Sequence, residues 1–256
     1  MRYCGVKCQK EHRSKHKRDC KKRAAEIRDE ILFRQPENSC WGDCPICFLP
    51  MPLDEGQRIV MVCCGKVICQ GCCVVNQLQE AREGKDEKCP FCRSLSPESL
   101  AVVKEIAATM DCTVSMREVG NWHNEEGDHQ AAFEYFSRAA ELNDADGHMM
   151  LGNFYYDGNG VERNLSKAVS HFETSAIAGH PRARNNLGVI EWEGGRYERA
   201  IKHWIIAAKA GHDGSVEYLK QSFKCGFFSI KDFAAVLRAH QAAVDATKSP
   251  QRQNVL

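Results

Sequence analysis

The sequence predicts a small, metal-stabilised α+β finger followed by an all-α solenoid of helical hairpins. Thirteen of the fifteen cysteines lie within the first 92 residues, many of them in close pairs. Behind them glycine, alanine and aromatic residues recur at spacings of 32 and 36 residues, the mark of a stacked array. A third observation bounds the class: no apolar run approaches the roughly 18–20 residues of a membrane span.

The 256 residues carry a formal net charge of +1, unevenly spread, with ten Lys or Arg against two acids in residues 1–23. The opening MRYCGVKCQKEH is charged and lacks an apolar core, so no signal peptide is read there. The expected localisation is cytoplasmic and/or nuclear. Such compartments are reducing, and clustered cysteines there point to metal rather than to disulfides.

The finger reads CPIC at Cys44–Cys47, CCGKVICQGCC at Cys63–Cys73 and CPFC at Cys89–Cys92. Three Cys-x2-Cys knuckles result: Cys44/Cys47, Cys69/Cys72 and Cys89/Cys92. A knuckle sets two thiolates on one tight turn, where both reach one tetrahedral ion at about 2.3 Å. Six ligands are too many for one zinc and too few for two. Cys63 and Cys64 bring the set to eight.

This pattern resembles the RING family, whose four ligand pairs hold two zincs in a cross-brace. Residues 40–95 are therefore read as a small zinc-stabilised α+β RING finger. The resemblance implies one site of Cys44, Cys47, Cys69 and Cys72 and a second of Cys63, Cys64, Cys89 and Cys92. Lys66 stands where most members have a His ligand, and a protonated amine binds zinc poorly. Cys64 fits an all-cysteine variant instead, with Cys63 directly beside it. Four thiolates close the coordination sphere, so the zinc is structural rather than catalytic. Metal binding worth about 10–16 kcal/mol per site supplies folding energy that so small a core lacks.

RING fingers commonly act as ubiquitin ligases by positioning a loaded ubiquitin-conjugating enzyme, without catalytic residues of their own. The family's contact surface maps onto Ile46 and Pro90, and Arg93 matches the position of a hydrogen-bonding cation. Asn76, four residues after the third knuckle, stands where many ligases place a Trp.

Ahead of the finger, Cys4, Cys8, His16 and Cys20 follow the spacing Cys-x3-Cys-x7-His-x3-Cys. With Tyr3 and the lysine-rich stretch behind them, residues 1–23 resemble the second half of a MYND-type zinc finger. The resemblance implies two half-sites whose partners lie upstream, the alternative being one ion held by the same four ligands regrouped, and a linker helix follows at 24–39. The basic run KHKRDCKKR reads as a solvated helix face rather than a nucleic-acid surface, because no aromatics alternate with it.

Residues 96–114 are a linker and first helix, and 115–246 the repeats. Gly120, Gly152 and Gly188 are 32 and 36 residues apart; Phe136, Phe172 and Trp204, like Ala132, Ala168 and Ala200, are 36 and 32 apart. The reversal places a four-residue insertion between the two helices of the middle repeat alone. Small residues permit close helix crossing and aromatics fill the space between. The middle repeat, with LGNFYYDGNGV at Leu151–Val161 and Ala176–Gly179, resembles the Sel-one-like repeat, and its neighbours resemble tetratricopeptide units. A weaker fourth unit runs from Val216 to about Ala246, and the tail 247–256 is expected to be disordered.

His129, His148, His171, His180, His203 and His212 lack ligand spacing with any cysteine, and His180 and His212 are assigned to repeat junctions. No nucleophile motif, phosphate loop or methyltransferase domain is visible. Two functions remain: a ubiquitin ligase whose repeats recruit protein targets, and a non-catalytic zinc-dependent interaction scaffold.

Overall fold

The computed structural model describes residues 13–95, 99–249 and 252, with backbone alone for residues 13–20. It divides into two units, Met1–Gln35 and Pro36–Leu256. In the first, helix α1 spans Arg13–Leu32, so the lysine-rich run and most of the expected linker are one continuous helix. Residues 21–26 are exposed. Arg23 lies 3.2 Å from Glu26 and 3.4 Å from Glu30, as on a solvated charged face.

The second unit opens with a small cysteine-rich region around a two-stranded antiparallel sheet. Strands β1 (Arg58–Met61) and β2 (Lys66–Cys69) pair from Arg58 with Cys69 to Met61 with Lys66. Their sequences RIVM and KVIC are rich in β-branched residues that suit a half-buried pleat. Helix α2 (Gln70–Arg82) follows β2 directly. The core here is Met51 and Ile68 together with Cys44, Cys69 and Cys72. Cysteine replaces hydrocarbon as its main filling, so packing alone contributes little.

The rest is a helical solenoid. Helix α3 (Leu100–Thr109) precedes four antiparallel hairpins: α4 (Thr113–Glu125) with α5 (His129–Glu141), and α6 (Ala145–Asp157) with α7 (Leu165–Ile177). Helices α8 (Pro181–Glu193) and α9 (Tyr197–Lys209) form the third, and α10 (Asp213–Lys224) and α11 (Ile230–Ala246) the fourth. Within hairpins the connections run Glu126–Asp128, Gly158–Asn164 and Gly194–Arg196, so the insertion read from the sequence falls in the middle hairpin.

The glycine and aromatic rows prove to be one device. A Cβ on Gly120 would stand 2.8 Å from the Phe136 ring, on Gly152 2.4 Å from Phe172, and on Gly188 2.3 Å from Trp204. Each first helix thus lays bare backbone against the aromatic of its own partner helix. Ala132, Ala168 and Ala200 beside them are fully buried.

Between hairpins the chain turns through a left-handed residue, Asn143, Gly179 or Gly211. It then enters the next helix at Asp144, His180 or His212, each of whose side chains accepts a backbone N–H three residues on. The two histidines do this through Nδ1, from Ala183 N at 3.4 Å and Ser215 N at 3.1 Å. Capping, more than loop flexibility, is therefore what they do at the junctions. In the tail, Arg252 donates to the carbonyls of Pro50 at 2.7 Å and Leu49 at 3.3 Å. Residues 250, 251 and 253–256 lie outside the described ones, as does the disorder expected of them.

Gly152→Ala should overpack Phe172 and cost about 1–3 kcal/mol in urea unfolding. Adding Phe172→Leu should recover part of that loss. Recovery of none would show that the helix pair yields elsewhere.

Burial, helped by Arg182, holds His212 down at about 4, and burial with Arg184 and Arg199 holds His203 at about 3. An unfolded histidine titrates near 6.5, at about two units or more above either. The unfolded chain therefore binds more protons in that window, so stability is full above about pH 6.5 and falls as pH drops toward the folded values. His212→Asn keeps a capping acceptor and should flatten the pH dependence of unfolding by roughly one proton. An unchanged slope in stepped-pH denaturation would show that His212 is not held neutral.

Candidate metal centres

The first and last knuckles are built alike. Phe48 N bonds Cys44 O at 2.8 Å, and Arg93 N bonds Cys89 O at 3.0 Å. Cys44 N donates to Leu49 O and Cys89 N to Ser94 O, closing each loop. The residue after each second cysteine is left-handed, Phe48 at φ 56° and Arg93 at φ 61°. That conformation turns the chain back so that both sulfurs of a knuckle point the same way.

The eight sulfurs gather into two groups. Those of Cys44, Cys47, Cys69 and Cys72 all lie within 4.8 Å of one another, as do those of Cys63, Cys64, Cys89 and Cys92. Within the groups Cys47 and Cys69 are 3.9 Å apart, Cys64 and Cys89 3.6 Å, and Cys63 and Cys92 3.4 Å. Four sulfurs about 2.3 Å from one tetrahedral ion stand roughly 3.8 Å apart, so the spacing suits a metal. It is far too long for sulfur–sulfur bonds, and every described cysteine is free.

Cys63 and Cys64 reach one site although adjacent. Successive side chains of a strand point to opposite faces, but these two sit in the β1–β2 turn, where Cys64 N and Gly65 N both bond Met61 O. Gly65 closes that turn with φ 68°. Lys66 begins β2, exposed.

Taken as thiols alone, each group ionises unevenly. Burial opposes the Cys44 thiolate, yet N–H groups of Cys69, Cys47 and Ile46 outweigh it and bring the thiol down to about 7. Burial and the sulfurs of Cys69, Cys44 and Cys47 push Cys72 up. In the second group bonds from Ser94 bring Cys92 down to about 6, whereas burial and Cys92 push Cys63 up. One thiolate repels the next, and a divalent cation among them removes that conflict. Both groups are positioned to bind metal ions, and four sulfurs leave no open place for a substrate.

Ile46 in the first knuckle is 38% exposed, and Pro90 in the last is half-buried. The Arg93 side chain is 72% exposed, with Glu80 3.7 Å away. Asn76 is turned inward, donating to Glu80 at 3.2 Å and to Lys88 O at 3.4 Å. Glu80 is itself buried and accepts from Lys88 N at 3.0 Å, so this pair braces the segment entering the last knuckle. Cys4 and Cys8 lie outside the described residues, as do the side chains of His16 and Cys20, and the N-terminal half-finger with them.

A third group escaped the sequence reading. Cys40, Asp146 and His180 bring a thiol, a carboxylate and an imidazole within 4.8 Å, where the cysteine-bearing region meets the solenoid. Its hydrogen bonds argue for a clasp rather than a metal site. His180 Nδ1 caps α8 as an acceptor, which leaves the proton on Nε2, and Nε2 meets Asp146 Oδ1 at 2.9 Å. An imidazole held in that tautomer has no lone pair left for a cation. Asp146 also accepts from Trp41 Nε1 at 3.2 Å and pairs with Arg117. Burial opposes its charge, but His180, Arg117 and Trp41 outweigh burial and hold the carboxyl far below the ordinary range. No local signal announces this group, since Asp146 follows Cys40 by more than a hundred residues and His180 lies 34 further on.

The residues 114–144, 145–180 and 181–212 each match the family model of the Sel1 repeat. Residues 114–212 are three Sel1 repeats. The hairpin α10–α11 beyond them lies outside that match. No curated protein matches the chain. Among solved structures it is similar to a Sel1 repeat protein from Oxalobacter formigenes, 23% identical with a TM-score of 0.48, over 61% of this chain and 68% of that one. It is also similar to c5321, a protective antigen of uropathogenic Escherichia coli displaying an SLR fold, 24% identical with a TM-score of 0.49. That likeness spans 59% of this chain and 34% of the other.

Native mass spectrometry of the full chain should find about one zinc fewer in Cys44→Ser and about one fewer in Cys92→Ser, one from each site. Lys66→Ala should leave the count unchanged. Zinc lost with Lys66 would overturn the assignment of Cys63 and Cys64.

Proposed function

We propose that the protein is a RING-type ubiquitin ligase that holds two structural zincs, docks a ubiquitin-conjugating enzyme on its finger and recruits protein targets with its Sel1 repeats. The pairing of the sulfurs carries this reading. The first ligand pair gathers with the third and the second with the fourth, as a cross-brace requires. Ile46 and Arg93 are both offered to solvent on the outer knuckles, where the family resemblance puts the enzyme-binding surface. The repeats supply a protein-binding array behind them. Free thiols able to take zinc suit a reducing compartment, the cytosol or nucleus.

A second reading, the zinc-dependent scaffold without ligase activity, is favoured by Asn76. Its inward hydrogen bonds commit it to bracing the last knuckle, and it offers no aromatic surface to an enzyme.

Single-turnover discharge of ubiquitin from a panel of loaded conjugating enzymes separates the two. Ile46→Ala should weaken enzyme binding with zinc content unchanged. Arg93→Ala should slow discharge about ten- to hundredfold, since a charged hydrogen bond is worth about 1.5–3 kcal/mol and each 1.4 kcal/mol is about tenfold. No acceleration by wild type with any enzyme would leave the scaffold reading standing. Acceleration that Arg93→Ala matches would remove the role given to Arg93.

A further inference from the structure

Between the β1–β2 hairpin and helices α4 and α6 lies a cavity of about 200 Å³. Its apolar walls include Val60 and Val67 from the hairpin and Met149 and Met150 from α6. Three guanidinium groups border it, those of Arg58, Arg117 and Arg182. Two of them are matched. Arg117 pairs with Asp144 and Asp146, and Arg182 with Glu55 at 2.5 Å.

Arg58 is different. Its side chain is only 8% exposed, and its guanidinium lies 3.6 Å over the Trp41 ring. Glu55 is 3.7 Å from Nη2, but that carboxylate is already engaged by Arg182. Nη1 is buried with no hydrogen-bond partner among the described residues; Arg117 Nε also lacks a hydrogen bond but has Asp144 3.3 Å away, whereas no described carboxylate pairs with Nη1. A buried donor left without an acceptor costs free energy that an entering acceptor recovers. Stacking on Trp41 holds the guanidinium plane in place and leaves Nη1 for an acceptor. Glu55, Glu118 and Asp146 also border the cavity, and Glu55 and Asp146 are already paired with Arg182 and Arg117. The donor left over is Nη1 of Arg58, and the apolar walls suit an acceptor with an apolar flank.

We infer that this cavity accepts the carboxylate of an Asp or Glu side chain in a partner peptide, with Arg58 as its anchor and the Val60, Val67, Met149 and Met150 walls receiving an apolar neighbour. The site deepens the protein-recruiting half of the proposed function and rests on that half alone, so a chain without ligase activity leaves it intact. It lies where the hairpin meets the repeats, so both parts contribute to one recognition surface.

Fluorescence anisotropy with the full zinc-loaded chain tests this, using labelled nine-residue peptides with apolar residues around a central Glu, and the same peptides with Gln. The Glu peptides should bind at least about tenfold more tightly, the gain expected of one charge-assisted pair. Arg58→Gln should abolish the difference. Because Arg58 also packs on Trp41, Met149→Glu serves as a second variant: it puts a carboxylate into the cavity and should block the Glu peptides while Arg58 stays in place. Equal binding of Glu and Gln peptides would overturn the inference. So would a Glu preference that survives both variants with helical content unchanged, and so would succinate binding as tightly as the peptides, which would assign the cavity to a small carboxylate instead.

Discussion

Asp146 is the point on which the second unit depends. It sits in the first turn of α6 and receives Trp41 from the cysteine-bearing region, Arg117 from α4 and His180 from the cap of α8. A buried carboxylate is costly unless its charge is matched. Here three donors from three parts of the chain match it, and ordering one of them orders the rest. Around it Ser115 Oγ reaches Val62 O at 3.0 Å, and Arg182 reaches Glu55. These contacts line up along the starts of α4, α6 and α8, so the finger rests on one edge of the repeat stack. An array that is otherwise held together by nearest neighbours is thereby tied to a domain it could not specify alone.

The two parts solve the problem of a small core in opposite ways. The solenoid repeats one contact, glycine against aromatic, and gains stability by stacking it. The finger has Met51 and Ile68 among three buried cysteines, with Trp41, Ile59, Met61 and Val67 partly buried around them. Sulfur clusters that repel one another once ionised need a cation to hold them. Both sulfur groups are positioned to take such a cation, and the clasp at Asp146 gives the cysteine-rich region a fixed seat on the repeats.

Much of this was legible in the sequence because it is local. A Cys-x2-Cys knuckle is one turn, and its two sulfurs reach one ion whatever surrounds them. The rows Gly120, Gly152, Gly188 and Phe136, Phe172, Trp204 record a contact within each hairpin, so a constant register exposes it. Even the insertion in the middle repeat shows as a change of spacing. The junction histidines were placed correctly at turns, but their capping bonds were not visible, because several residue types can follow a left-handed turn residue. Asn76 was legible as a departure from the resemblance and illegible as a brace, since its partner Lys88 O lies across a loop.

By itself, then, the sequence determined the knuckles, the number of sulfurs and the period of the repeats; it read the middle unit as Sel-one-like and its neighbours as tetratricopeptide-like, where all three match the Sel1 repeat. Each is written in spacings shorter than one hairpin, where backbone geometry leaves few alternatives. Only the tertiary structure decided that Cys63 and Cys64 reach the last knuckle by way of a turn, that His180 donates to Asp146 instead of binding metal, and that Arg58 is left stacked on Trp41 over an apolar cavity. The first is a turn no spacing announces, and around the other two the cysteine-rich region meets helix ends that follow it by 53 to 127 residues. No periodicity spans that distance, and the charges that settle there are matched by packing alone.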